Sequence, residues 1–162
     1  LEIIQKLKKV NPLIKFSSDF IIAYPGETKE DFNKTISLMK KVNFINSYSF
    51  IFSSRPGTPS SNLTKIDNQT AKERLLVFQN IAHKIKKNYR KKLINSFANV
   101  LFENNVKDSK SFFGRDEYFN SVIVESNENL IGQIKKVKIN DCNQNTLFGE
   151  IIINEKKEEF AA

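Results

Sequence analysis

Three groups of residues in this chain have the types and spacing to do chemistry or recognition. In Ile21-Ile22-Ala23-Tyr24-Pro25-Gly26-Glu27 an apolar run ends at Pro-Gly and a carboxylate follows. Proline removes a ladder donor, glycine frees the backbone, and the chain must leave a sheet there. Glu27 is then either a loop acid beside a ligand or a solvated first-turn acid favoured by the next helix dipole. In Arg55-Pro56-Gly57-Thr58-Pro59 a stiff turn carries the only arginine of the first seventy residues. Its planar guanidinium suits phosphate or carboxylate better than lysine does, and an ordinary loop is the plain alternative. The third group is basic and aromatic: Lys84, Lys87, Arg90 and Lys91 in one segment, Arg115, Tyr118 and Phe119 in another. Cations with stacking surfaces are the two ingredients of binding to a folded RNA loop, while a solvated basic face is the alternative for the first four. One cysteine, Cys142, and one histidine, His83, exclude an internal disulfide and a Cys-rich metal site. Flanked by lysines, His83 reads as solvated.

These groups need elements to position them. Phe20 to Tyr24 reads as a strand covered on both faces, as in a parallel sheet. Thr28 and Asp31 have capping-box spacing, and Phe32, Ile36, Met39 and Val42 follow at helical period up to the breaker Asn43. Asn46 to Phe52 alternates polar and aromatic residues, the pattern of a next strand. Strand, loop, helix and strand in succession place both turns at the carboxyl ends of strands, where parallel α/β sheets hold ligands. A helix over Leu1 to Val10, stopped by Asn11-Pro12, precedes this unit. A long helix from Gln69 to about Leu93 follows, with Leu75, Phe78, Ala82, Ile85 and Tyr89 on one stripe.

After Leu93 the period changes. Short strands are expected at 98–103, 112–115, 121–125, 133–139 and 146–153, separated by Asn, Gly and Ser turns, which predicts a small antiparallel five-stranded barrel. Gly132 and Gly149 read as turn and bulge glycines within it. The fold class is therefore α/β plus all-β, with domains at 1–93 and 94–155 and a polar tail at 156–162.

The 162 residues carry a net charge of +8, and 40% are hydrophobic. The isoelectric point near 9.5 predicts attraction to polyanions, nucleic acid before anionic membrane. No apolar run approaches the roughly 20 residues of a membrane span and no signal peptide opens the chain, so a soluble cytoplasmic protein without membrane contact is expected. The single methionine is Met39, so the chain is expected to be a fragment or trimmed.

Ser18-Asp19-Phe20-Ile21-Ile22-Ala23-Tyr24-Pro25-Gly26-Glu27-Thr28, then Asp31-Phe32, Tyr48-Ser49-Phe50, Ser53 and Arg55-Pro56-Gly57-Thr58-Pro59 resemble the radical SAM methylthiotransferases. The likeness is strongest to the branch that modifies isopentenyladenosine beside the anticodon of tRNA, and it runs to about Ile153. Ala23 stands where the family commonly has Gly, and Tyr24 where it has Phe. Gly114-Arg115, Val122, Leu130-Ile131-Gly132, Val137-Lys138-Ile139 and Leu147-Phe148-Gly149-Glu150 resemble the TRAM domain that ends these enzymes, with Phe119-Asn120 where an Asn and a basic residue are frequent.

The resemblance implies the distal part of a TIM-like radical SAM β/α barrel followed by an OB-like TRAM barrel. It implies S-adenosyl-L-methionine and two 4Fe-4S clusters as cofactors of the whole enzyme, their cysteine ligands lying outside this chain, which corresponds to the C-terminal third or so. Residues Ile21 to Glu27 would line the adenosyl end of S-adenosylmethionine, and Arg55 to Pro59 the substrate side. The implied partner is the anticodon stem-loop of tRNA, bound by a monomer. A non-catalytic RNA-binding protein, or a related methylthiotransferase acting on a ribosomal protein or on threonylcarbamoyl-adenosine, are the other readings.

Overall fold

A computed structural model describes residues 1–107 and 109–152. The chain divides into two compact units, Leu1–Tyr89 and Arg90 onward. The polar tail at 156–162 and the end of the last expected strand lie outside the described residues.

The first unit runs α1 (Glu2–Val10), β1 (Ser17–Ile22), α2 (Lys29–Val42), β2 (Asn46–Ile51), a 3-10 turn (Pro59–Asn62) and α3 (Asn68–Lys91), whose last two residues belong to the second unit. The expected capping box starts α2. The Asp31 amide donates to Thr28 Oγ1 at 3.1 Å, and the Thr28 amide donates back to Asp31 Oδ2 at 3.3 Å. The Thr28 hydroxyl also donates to Asp31, and this bond, with Lys34 beside it, holds the Asp31 carboxyl below the usual carboxylate range. Asn43 ends the helix in the left-handed conformation at φ 62°, a region asparagine tolerates better than most residues.

β1 and β2 pair in parallel, Ser17 opposite Asn46 and Ile22 opposite Ile51. Phe20 and Ile22 point into a core with Phe32, Ile36, Met39, Phe44 and Phe78. The Phe20 ring meets Phe44 edge-on at 5.5 Å and Phe78 at 4.8 Å, so β1, the α2–β2 junction and α3 converge on one aromatic cluster. The stripe read along the long helix holds, with Phe78 fully buried and Leu75, Ala82 and Ile85 packed against the core.

Two expectations about β1 need correction. The strand starts at Ser17 and ends at Ile22, because Ala23 turns to φ 60° and takes Tyr24 out of the sheet. It is covered on one face only. Ile21 remains 60% exposed in register with the exposed Phe50, so a continuous apolar run here follows the two-residue alternation of an open sheet.

The second unit is a closed barrel of β3 (Phe97–Asn105), β4 (Ser111–Arg115), β5 (Ser121–Glu125), β6 (Ile134–Cys142) and β7 (Thr146–Ile151), in the order β3-β4-β5-β7-β6. Closure removes free sheet edges. The expected barrel is present, but it is not wholly antiparallel, since β5 and β7 pair in parallel. The chain crosses from β5 to the far side of β3, and the β6–β7 hairpin then returns β7 alongside β5. Val100, Phe102, Val122, Val124, Leu130, Val137, Ile139 and Leu147 fill the interior.

Two glycines permit that closure. A Cβ on Gly114 would stand against the Leu101 carbonyl oxygen and 2.7 Å from Val100 Cγ1, and one on Gly149 against the Lys138 carbonyl oxygen and 2.6 Å from Val137 Cγ1. At both positions the backbone of one strand comes close to that of its neighbour.

Candidate functional site

The two turns read from the sequence leave the same edge of the parallel sheet. Ile22 and Ile51 are register partners at the ends of β1 and β2, and the Phe52 amide continues the pairing to the Ile22 carbonyl at 2.8 Å. The Tyr24 ring then meets Phe52 edge-on at 5.1 Å, so the β1–α2 loop and the start of the β2–α3 loop touch. Below them the open sheet face presents Ile21, Tyr48 and Phe50, all exposed.

The β1–α2 loop is rigid for identifiable reasons. Its backbone is left-handed at Ala23 and at Gly26, φ 84°, and the Glu27 amide closes the turn on the Tyr24 carbonyl at 2.9 Å. The solvated first-turn reading of Glu27 does not describe its surroundings. Its side chain is 10% exposed, and Oε2 accepts from the Ala23 amide at 3.1 Å and from Arg74 Nη1 at 2.7 Å. Arg74 Nη1 also donates to the Glu27 carbonyl at 2.8 Å, and its guanidinium lies 5.7 Å from the centroid of the Phe32 ring. The carboxylate is thus a tie between loop and α3 rather than a solvated first-turn acid. Arg74 was the residue that sequence reasoning missed. A signal for it existed, since position 74 lies three residues after buried Ala71 and four before buried Phe78, on the packed side of α3.

Arg55 is exposed at the head of the second loop. Its carbonyl accepts from the Thr58 amide at 3.3 Å and from Thr58 Oγ1 at 2.8 Å, with Gly57 at φ 80° between them. Pro59 then opens the 3-10 turn. This geometry fixes the loop while leaving the guanidinium outward.

Of the basic residues, Lys84, Lys87 and Lys91 are exposed on α3 as expected. Arg90 is not. It is 3% exposed, and Nη1 donates to the Gln144 carbonyl. Its place in an RNA track is therefore corrected: the guanidinium satisfies a backbone oxygen within the second unit. Arg115 is half-exposed, 3.3 Å from Glu103 and 5.5 Å from the Phe113 ring centroid. A further cation–aromatic pair, within the second unit, sets Lys136 5.4 Å from the Phe97 centroid on neighbouring strands.

Tyr118 and Phe119 lie on the β4–β5 loop, which is organised around Asp116. Its Oδ1 accepts from the amides of Tyr118 and Asn120, both at 2.8 Å, and its Oδ2 accepts from Asn120 Nδ2 at 2.8 Å. Asp116 and Asn120 are buried, Tyr118 is partly buried, and Phe119 is 74% exposed at φ 60°.

No cluster of three or more His, Cys, Asp or Glu side chains able to hold a metal occurs among the described residues. Among them, no helix is long and apolar enough to cross a membrane.

Residues 91–152 match the TRAM domain family. Over nearly its whole length the chain is also similar to curated proteins named tRNA-2-methylthio-N(6)-dimethylallyladenosine synthase. It is 50% identical over 159 residues to that of Pelagibacter ubique, covering 97% of this chain and 35% of the relative. It is 39% identical over 150 residues to that of Ruthia magnifica, covering 92% and 34%. With that of Buchnera aphidicola from Schizaphis graminum it shares 40% over 153 residues, covering 93% and 35%. The chain thus spans about a third of the length of the curated relatives it matches.

Proposed function

We infer that this chain, a homologue of the tRNA-2-methylthio-N(6)-dimethylallyladenosine synthases with a TRAM domain at 91–152, serves as part of such a tRNA methylthiotransferase. The observation that carries this reading is 50% identity sustained over 97% of the chain, through both units. In this reading the first unit is a segment of a larger radical SAM β/α barrel, and the exposed face of Ile21, Tyr48 and Phe50 is turned toward that barrel's interior. Contacts to the anticodon stem-loop of tRNA come from Lys84 and Lys87 in the first unit and from Lys91, Arg115, Tyr118 and Phe119 in the second.

The cofactors implied by the family fit the chain unequally. A 4Fe-4S cluster takes three or four thiolates and the chain has one cysteine, Cys142, so its donor set does not fit a cluster. The loop Ile21 to Glu27 fits the lining of an S-adenosylmethionine site better. Ile21 and Tyr24 offer apolar surface, Ala23, Pro25 and Gly26 a shaped backbone, and Glu27 fixes that shape while its carboxylate stays engaged with Arg74. Arg55 to Pro59, on the same sheet edge, would face the substrate side.

The test is mass spectrometry of tRNA nucleosides after anaerobic iron and sulfide reconstitution. The whole protein containing this chain should convert N(6)-dimethylallyladenosine to its methylthio derivative, and the 162-residue chain alone should give no turnover. S-adenosylmethionine cleavage by the whole protein without change in that nucleoside would move the assignment to a related substrate.

A further inference from the structure

The β4–β5 loop carries two energetic costs at one residue. Phe119 sits at φ 60°, a left-handed backbone disfavoured for a residue with a Cβ, and its ring is 74% exposed to water. Glycine or asparagine would relieve both at once.

The surrounding hydrogen bonds hold that conformation. Besides the three bonds accepted by the Asp116 carboxylate, the Phe119 amide donates to the Asp116 carbonyl at 3.0 Å and the Asp116 amide to the Asn120 carbonyl at 3.2 Å. Glu117 Oε1 accepts from the Asn99 amide at 3.2 Å and from Asn99 Nδ2 at 2.7 Å, tying the loop to β3. Asp116 and Asn120 are buried, while the Phe119 ring is exposed. Backbone held in an unfavourable region by over-determined surroundings is common at binding sites, where rigidity lowers the entropy lost on association.

We propose that the Asp116–Asn120 bonds preset Phe119 as a stacking platform for one unpaired nucleobase of an RNA loop, with Asp116 and Asn120 as positioning residues. This rests on the reading of the second unit as an RNA-binding domain. An exposed apolar ring on a backbone held by these bonds matches the π-face of a base, and Arg115, next to the loop, supplies a cation for the adjoining phosphate. A protein partner would be served as well by a flexible aromatic in an unstrained backbone. The strain is what favours a flat, orientation-sensitive ligand.

The discriminating variant is Phe119→Gly, because the left-handed backbone suits glycine. In the full chain it should raise the thermal midpoint while weakening an RNA hairpin with 2-aminopurine in its loop by about 5- to 150-fold, the range expected for loss of one base–aromatic stack. Phe119→Trp should retain affinity and 2-aminopurine quenching, and duplex RNA of equal length should bind Phe119→Gly and the natural chain alike. Asp116→Ala should weaken hairpin binding in the natural background and add nothing in the Phe119→Gly background. If the natural chain binds the hairpin and Phe119→Gly binds it equally, stacking is overturned and RNA binding stands. If the natural chain binds no RNA, the RNA-binding reading falls and this proposal with it.

Discussion

The Glu27–Arg74 pair joins the β1–α2 loop to α3, and its strength follows from its burial. With side chains 10% and 15% exposed, the pair is poorly screened, and the carboxylate holds the Ala23 amide as well. Removing one partner leaves the other charge in a place where water cannot replace the lost bonds. Arg74→Met should therefore destabilise the chain by about 2–4 kcal/mol in chemical denaturation. Lys6 and Glu2, an exposed pair at 2.8 Å, provide the control, since Lys6→Met should change stability by less than about 0.5 kcal/mol. Equal effects at the two sites would mean that the loop does not depend on this tie. The sequence marked Glu27 as a residue of interest through its position after Pro-Gly. It did not reveal the partner, because an arginine 47 residues away declares itself only once α3 packs beside α2.

At the scale of elements, what was legible in the sequence is what local rules determine. The capping box at Thr28 and Asp31, the left-handed stop at Asn43 and the α3 stripe are each set by residues within one or two turns, and each is present. Long-range pairing was less visible. Nothing local distinguishes an antiparallel β7 from one lying parallel to β5, because that depends on which side of β3 the chain crosses. The end of β1 was misjudged for a similar reason, since Ala23 and Tyr24 continue the apolar pattern while the Glu27 side chain takes the Ala23 amide away from the sheet. The barrel glycines combine the two scales. Gly149 was legible as a curvature residue, but its contact with the Lys138 carbonyl is a product of closure. Gly114→Ala or Gly149→Ala should lower stability by about 1–3 kcal/mol, because carbonyl backbone cannot yield as a side-chain end can. Differential scanning calorimetry should place the loss in the second unit; a wild-type midpoint for both variants would show that the barrel closes more loosely than its backbone distances imply.

For the whole molecule, the net charge of +8 sets a long-range attraction to polyanions, and the distribution of that charge decides how much of it is usable. Lys84, Lys87 and Lys91 recur at helical spacing on α3 and are exposed, so each is available to neutralise a phosphate. Arg90 sits among them in sequence yet is spent on the Gln144 carbonyl, so sequence spacing alone overcounts the track by one. If the chain binds the tRNA stem-loop as proposed, and Arg115 of the second unit adds one contact of its own, about four phosphate contacts would give a log–log slope of affinity against salt of roughly −3. The two classes of basic residue should then separate cleanly by fluorescence titration at several salt concentrations. Lys84→Ala with Lys87→Ala should reduce the slope by about 1.5 and leave the thermal midpoint unchanged. Arg90→Met should leave the slope unchanged and lower the midpoint, because its deletion orphans a backbone acceptor rather than a phosphate. A slope that falls with Arg90 and ignores the two lysines would mean that this guanidinium leaves its internal partner when RNA arrives, and that recognition involves rearrangement at the start of the second unit.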